Sequence, residues 1–390
     1  MPFVVVIGFL AALWLIWPQR VQTHGSVTTT VLFDREVVRV LNDHCVMCHM
    51  EGGLAFPLET YEQTWRRGQA IRTSVLRHHM PPWSAVAGYG SFANENRLTV
   101  REAQFVISWV EGLGPRNAGK VFLNVANPDA ARQPEVRAAY PHAGHWMIGT
   151  PDLTRELAPT TVQAQQGDAV VRTVVDLGLD RERRVDAIEY MPGDRRVVRA
   201  AVFTLAGTGQ WLGSWTPWYG FVKAPAGSAF RLPAGARVAA EIHYRGTTET
   251  VVDRGTIGLT LADAGAGAAR DISDLVLVAG SAGRLKAAPL RARVRLAADT
   301  YVWALQPRLV PGLSSLQVTA RKPDGRTDIL LFAQEISTEW PTPYLLDRPV
   351  LLAKGTELTV SAHYASEPPA DRTLLTISRY NARASQTARR

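Results

Sequence analysis

The sequence predicts a multidomain chain: an N-terminal apolar anchor helix, a small all-α domain, then an all-β region of two tandem antiparallel sandwiches. Three observations predict it. Residues Pro2 to Trp17 are almost uninterruptedly apolar, apolar residues recur at helical spacing as far as Gly112, and after Trp146 the pattern changes to alternation at period two. A length of 390 residues exceeds what one small core serves, and 46% hydrophobic with 20% charged residues is the composition of a chain that can bury several. The expected boundaries are 1–20 for the anchor or signal segment, 30–115 for the helical domain, 116–140 for a linker, and 141–270 and 271–385 for the two sandwiches.

The apolar run ends in Trp14 and Trp17, followed by Pro18 and Arg20. It has the length of a signal-peptide core or a short membrane span. No small-x-small cleavage site follows, and paired Trp suit a membrane interface, so an uncleaved anchor is the favoured reading. Either reading implies export.

In the helical part, Asp34 opens a short amphipathic helix whose apolar face is Val37, Val38 and Leu41. A second helix is expected from Tyr61 to Leu76, with Trp65, Ile71, Val75 and Leu76 at helical intervals. The third has the clearest start. Thr99 followed by Glu102 is a capping box, after which Ala103, Val106, Ile107 and Val110 mark one face and Gly112 stops it. Trp109 is expected in the core.

Between the first two helices stands Cys45-Val46-Met47-Cys48-His49. Cys-x-x-Cys-His is the attachment signature of a c-type haem. Two thiols three positions apart reach the two vinyl groups of a porphyrin as thioethers, and the adjacent His49 turns its imidazole onto the iron. Zinc would need further Cys or paired His ligands, and a thioredoxin-like thiol pair would want a βαβ context. Neither is present, and these are the chain's 2 cysteines. Met80, in His78-His79-Met80-Pro81-Pro82-Trp83, is the leading second axial ligand, since the prolines stiffen the backbone that presents the thioether. His78 or His79 would instead give a bis-His haem, and Met50 is too near Cys48 to reach across the ring.

The β region shows its strands directly. Leu290, Ala292, Val294 and Leu296 alternate with Arg291, Arg293 and Arg295; Leu358, Val360, Ala362 and Tyr364 alternate with Thr359, Ser361 and His363. Pro323-Asp324-Gly325 and Lys354-Gly355 are each expected to close a hairpin. Many short strands with regular turns indicate sandwiches.

The front half resembles bacterial cytochrome c modules in which Cys-x-x-Cys-His is followed by Leu-x-Thr-Tyr, here Leu58 to Tyr61, and by Met-Pro-Pro-Trp, here Met80 to Trp83. The β region is similar to the copper type II, ascorbate-dependent monooxygenases, the class of peptidylglycine α-hydroxylating monooxygenase. The likeness is carried by Trp146 to Gly149 with Pro151-Asp152, Met191 to Val198, Leu232 to Gly235, Ile242-His243-Tyr244, Pro323 to Gly325 and Lys354 to Thr356. It covers nearly all of the chain after the anchor and implies two tandem sandwich halves.

That family holds copper at one site of three His and another of His-x-His plus Met. Where its His-His follows Arg-Val-Val, this sequence has Arg199-Ala200, and His243 alone matches the remaining His. No His-x-His occurs, no histidine stands near Gln306 to Leu309, and Met191 is the last methionine. Beyond Trp146 the histidines are His243 and His363, from which two copper sites cannot be built. Copper is not expected. His24, His142 and His145 are read as surface or packing residues.

The functional expectation is an exported, membrane-tethered c-type cytochrome on the periplasmic side of the bacterial inner membrane. It would carry single electrons between redox proteins through one covalent haem c, with the β region as a docking or assembly module. A copper monooxygenase with its own cytochrome, and a structural haem subunit of a respiratory or photosynthetic membrane complex, are the alternatives. A net charge of +8, mostly Arg, could serve an acidic partner but reads first as compositional bias. The Arg291, Arg293, Arg295 stripe reads first as a solvated strand face. No basic run is interleaved with aromatics, so nucleic acid is not an expected partner.

Overall fold

The structure is a computed structural model that describes residues 29–117, 137–138, 144–262, 269–280, 289–368 and 370–382. The expected anchor, most of the 116–140 linker, His24 and His142 lie outside the described residues. Among the described residues no helix is long and apolar enough to cross a membrane. The chain is mostly β, in several sheets that are antiparallel except for one short parallel pairing.

A π-helical turn, Phe33–Val37, runs directly into helix α1, Val38–His44. Their apolar side buries Phe33, Val37, Val38, Val40 and Leu41, which includes the expected face. The single helix expected over Tyr61 to Leu76 is two, α2 (Tyr61–Arg66) and α3 (Gly68–Leu76). The break has a local cause. Gly68 is a weak helix former, and the Arg67 N–H turns back to the Thr64 and Trp65 carbonyls in a tighter turn. The break also shifts the phase of the apolar face: Ile71 packs on the core, whereas Trp65 and Leu76 are 51% and 48% exposed.

Helix α4, Val100–Glu111, starts and stops as expected. Thr99 accepts from the Glu102 N–H, the Glu102 carboxylate accepts from the Thr99 N–H, and Gly112 ends the run. A second capping box, Thr60 with Gln63, starts α2. Phe33 packs edge-on to Tyr61 at 5.5 Å and beside Trp109 at 6.0 Å, and the Trp109 indole N–H donates to the Pro115 carbonyl.

Two pairs of sheets follow. In the first pair, one sheet orders Leu153–Glu156, Thr256–Leu261, Arg183–Met191, Ser228–Leu232 and Arg270–Asp271. Its partner orders Ala169–Asp176, Arg237–Tyr244, Val198–Leu205 and Trp211–Trp215. Tyr190, Phe203, Trp215 and Phe230 fill the space between them. In the second pair, one sheet orders Ser273–Val278, Thr373–Asn381, Thr300–Pro307 and Tyr344–Leu352, and the other Leu290–Arg295, Glu357–Tyr364, Leu313–Arg321 and Thr327–Gln334. Leu305, Leu331, Leu358 and Ile377 lie in that core. The period-two residues fall as expected: Leu290, Ala292, Leu358, Val360 and Ala362 are buried, while Arg291, Arg293 and Arg295 are exposed.

Pro323-Asp324-Gly325 closes a hairpin, with Gly325 at φ 88 and the flanking strands in antiparallel register. Lys354-Gly355 does not. The strands it joins, Tyr344–Leu352 and Glu357–Tyr364, belong to different sheets, so this turn is a corner between layers. Its backbone is held by neither strand: Gly355 N–H donates to the Leu296 carbonyl and Lys354 N–H to Asp299.

The residues between Trp83 and Asn96 leave the helical unit and lie along the second sandwich. Val86 N–H donates to the Phe332 carbonyl, Gln334 N–H to Ser84, Ala93 N–H to Leu345 and Asp347 N–H to Ser91. Thr327–Gln334 and Tyr344–Leu352 are the outer strands of their two sheets, so this strap pairs with an edge of each. Trp83 and Phe92 pack with Tyr344, ring centroids 5.2 and 5.3 Å away. Residues 83–96 thus lie against the edges of the second sandwich, although they fall within the 30–115 stretch.

Candidate haem cleft

The Cys-x-x-Cys-His run continues α1 by one helical turn. Cys45 N–H donates to the Leu41 carbonyl, and Cys48 N–H and His49 N–H both donate to the Cys45 carbonyl at 3.1 and 3.0 Å. Residues at i, i+3 and i+4 of a helical turn share a face, so both thiols and the imidazole point the same way. They point into a partly open cleft of about 160 Å³. Val40, Leu41, Leu54, Leu58, Ile71 and Val106 give it an apolar lining.

Burial pushes the Cys45 thiol up to about 12, and neighbouring Cys48 adds to this. The Cys48 thiol is likewise pushed up to about 12 by burial, against the pull of the Arg195 and Arg199 charges. Among the described residues, no three His, Cys, Asp or Glu side chains converge as a small metal ion would need.

His49 is oriented by its neighbours. Its Nδ1 lies 2.8 Å from the Phe56 carbonyl oxygen, which can only accept, so Nδ1 carries the proton and Nε2 keeps its lone pair. Burial lowers its pKa and favours the neutral ring, outweighing the Phe56 bond that works the other way. The Phe56 ring packs on the imidazole at 4.8 Å, and the Arg67 guanidinium lies over the Phe56 ring at 4.9 Å. A neutral, hydrogen-bonded imidazole with a free Nε2 is what a metal-ligating histidine requires.

Met80 also lines the cleft and is 41% exposed. The chain reaches it from α3 through a left-handed residue, His78 at φ 55, with His79 N–H donating to the Ser74 carbonyl. His78 and His79 are exposed and do not line the cleft. The residue set thus fits a covalent haem: two thiols on one face, an oriented imidazole, an apolar cleft and a thioether in its wall.

The rest of the wall comes from the β region. Arg199, Arg245, Glu339 and Trp340 line the same cleft. Arg199 is 4% exposed; its Nη1 donates to Asp168 and its Nη2 to Glu339, each at 2.6 Å. Its guanidinium lies over the Trp340 ring at 4.8 Å, and Trp340 packs on Trp218 at 5.6 Å. Arg245 also holds Asp168, through Nε and Nη2 at 2.8 and 3.0 Å. Burial works to raise the Asp168 carboxyl, but the bonds from Arg199 and Arg245 outweigh it and hold it below the usual range.

These four wall residues carry no motif. The one signal for Arg199 was its position, where the resemblance would put a histidine.

Of the two histidines considered for copper, His243 has Nε2 3.1 Å from Glu241 and is half-buried on the strand Arg237–Tyr244, facing away from Val238, Ala240 and Ile242 as its position implies. His363 lies in the other sandwich with Nδ1 3.2 Å from the Ser315 hydroxyl. His145 is exposed.

No protein family and no curated protein matches the chain. Among solved structures, PNGF-II is similar at a TM-score of 0.23 and 8% identity, covering 56% of this chain and 62% of that one. The N-terminal tandem CBM22 domain of Paenibacillus barcinonensis Xyn10C is similar at a TM-score of 0.15 and 9% identity over 60% of this chain and 98% of that one. The T=3 Penaeus vannamei nodavirus is similar at a TM-score of 0.17 and 10% identity over 68% of this chain and 100% of that one. At such scores these likenesses carry no argument about relationship or function.

Proposed function

We propose that this chain is an exported monohaem c-type cytochrome that carries single electrons, with its two sandwiches as a copper-free, monooxygenase-like scaffold for docking or assembly. One observation carries the reading: Cys45, Cys48 and His49 share a face at an apolar cleft, with the His49 Nδ1 tied to the Phe56 carbonyl. Cys45 and Cys48 would hold the haem through thioethers, and His49 and Met80 would be the side chains that bind its iron. When bound, the haem supplies a one-electron couple.

The chain's own residues do the rest. The Phe56 carbonyl keeps His49 in the required tautomer, the aliphatic lining makes the cleft apolar, and Arg199, Arg245 and Trp340 line it from the β side. The apolar N-terminal segment would tether the protein to the periplasmic face of the inner membrane, where its electron donor and acceptor are redox proteins or a membrane complex.

Iron and copper content per chain, on protein made in a host that attaches c-type haem, is the test. One iron, negligible copper and a mass increase of one haem are expected. Copper at one or more per chain, or no covalent haem, overturns the reading.

A further inference from the structure

Arg199 is a buried cation whose carboxylate partners are not buried: its side chain is 4% exposed, against 52% for Asp168 and 53% for Glu339. Water screens the two anions, while the guanidinium faces the apolar cleft. A charge in a poorly screened site acts on its neighbours far more strongly than the same charge at the surface. Arg199 is also placed rigidly, with two charge-assisted hydrogen bonds and the Trp340 ring against it. Its anchors come from separate parts of the β region. Asp168 precedes a strand of the first sandwich, and Glu339 follows the outer strand Thr327–Gln334 of the second.

We propose that the β region sets the reduction potential of the haem through Arg199, a fixed positive charge in the cleft wall that Asp168 and Glu339 hold in position and Trp340 shields from water. Reduction of a haem held there, by a redox partner or mediator, would add one negative charge to the cleft, so a nearby cation would favour the reduced form. Arg199 is thus a positioning and charge-setting residue and exchanges no electron itself. The proposal rests on the haem reading above. It gives the sandwiches a role in the redox chemistry, beyond docking.

The test uses the full-length haem-loaded protein, with covalent haem first established by mass for each variant. The equilibrium with a mediator of known potential is then measured for the parent, Arg199→Leu, Glu339→Gln and the exposed control Arg293→Gln. Arg199→Leu is expected to shift the equilibrium toward the oxidised form about tenfold, equivalent to about 59 mV for one electron. Glu339→Gln, which removes a screened anion, is expected to shift it two- to threefold toward the reduced form; Arg293→Gln should leave it unchanged.

Glu339 is half exposed, so its variant keeps the test open if Arg199→Leu fails to fold. An Arg199→Leu protein with attached haem and a parental equilibrium overturns the proposal, as does a Glu339→Gln shift toward the oxidised form. A parent chain that takes no haem overturns the haem reading instead.

Discussion

His49 Nδ1–H donates a hydrogen bond to the Phe56 carbonyl oxygen at 2.8 Å, seven residues along the chain. The loop that makes this possible is closed by Leu58 N–H on the His49 carbonyl and by Glu51 N–H on the Glu59 carboxylate. The imidazole is therefore oriented by backbone within its own loop, independently of any group that binds its Nε2. Such second-layer bonds fix the direction and basicity of a ligating ring.

Met80→Ala tests the other axial position. The haem spectrum should change from that of a His/Met centre to a high-spin or His/water type, seen in the visible and near-infrared bands of the oxidised protein. An unchanged spectrum would assign the ligand to His78 or His79.

Asn94 pins the strap. Its side-chain NH2 donates to the Pro343 carbonyl at 2.7 Å and its oxygen accepts from the Leu345 N–H at 3.0 Å, at a site only 2% exposed. Asn94→Ala leaves both backbone groups buried without that partner and should cost about 1–3 kcal/mol. Urea unfolding would show a lower midpoint with the slope retained; an unchanged midpoint would mean that the strap is not held there.

Asp274 lies where the sandwiches meet, accepting from Trp211 N–H and the Ser378 hydroxyl at 2.7 Å each. Burial raises its pKa above the ordinary carboxylate range despite those bonds. The unfolded chain therefore releases this proton first, and the stability associated with Asp274 is present in acid and lost as pH rises through the folded value. Asp274→Asn keeps an acceptor for Trp211 and offers an NH2 to Ser378, so it should be neutral or stabilising at pH 7. Unfolding midpoints between pH 4 and 7 should fall less steeply with pH in the variant than in the parent.

Glu241 has the opposite sign. The His243 hydrogen bond, then Arg172, depress its carboxyl to about 2 against the effect of burial. Its contribution is present above the ordinary glutamate range and lost as pH falls through about 2. The site is half exposed, so Glu241→Gln should cost no more than about 1 kcal/mol at neutral pH. The variant's deficit should vanish in acid; a deficit that persists at pH 2 would assign it to packing.

Much of this was legible because it is local. Thr99 with Glu102 marked the start of α4, and Thr60 with Gln63 carried the same signal for α2, although the apolar spacing through Arg67 concealed the break before Gly68. Alternation placed Leu358, Val360 and Ala362 inside their sandwich. Lys354-Gly355 misled because a glycine turn looks the same whether its strands pair or separate into two layers.

By itself, then, the sequence determined the Cys45, Cys48, His49 face, the helix starts and the inward sides of the strands, since each depends on residues within a turn or on the pleat of one strand. Tertiary structure alone decided that Met80, rather than His78 or His79, lines the cleft, that residues 83–96 pair with both sheets of the second sandwich, and that Arg199 forms part of the cleft wall. Arg199 and Glu339 are 140 positions apart, and no local pattern records their contact. It exists because the packing of the helices and two sandwiches brings them to one place, where a buried cation requires a partner.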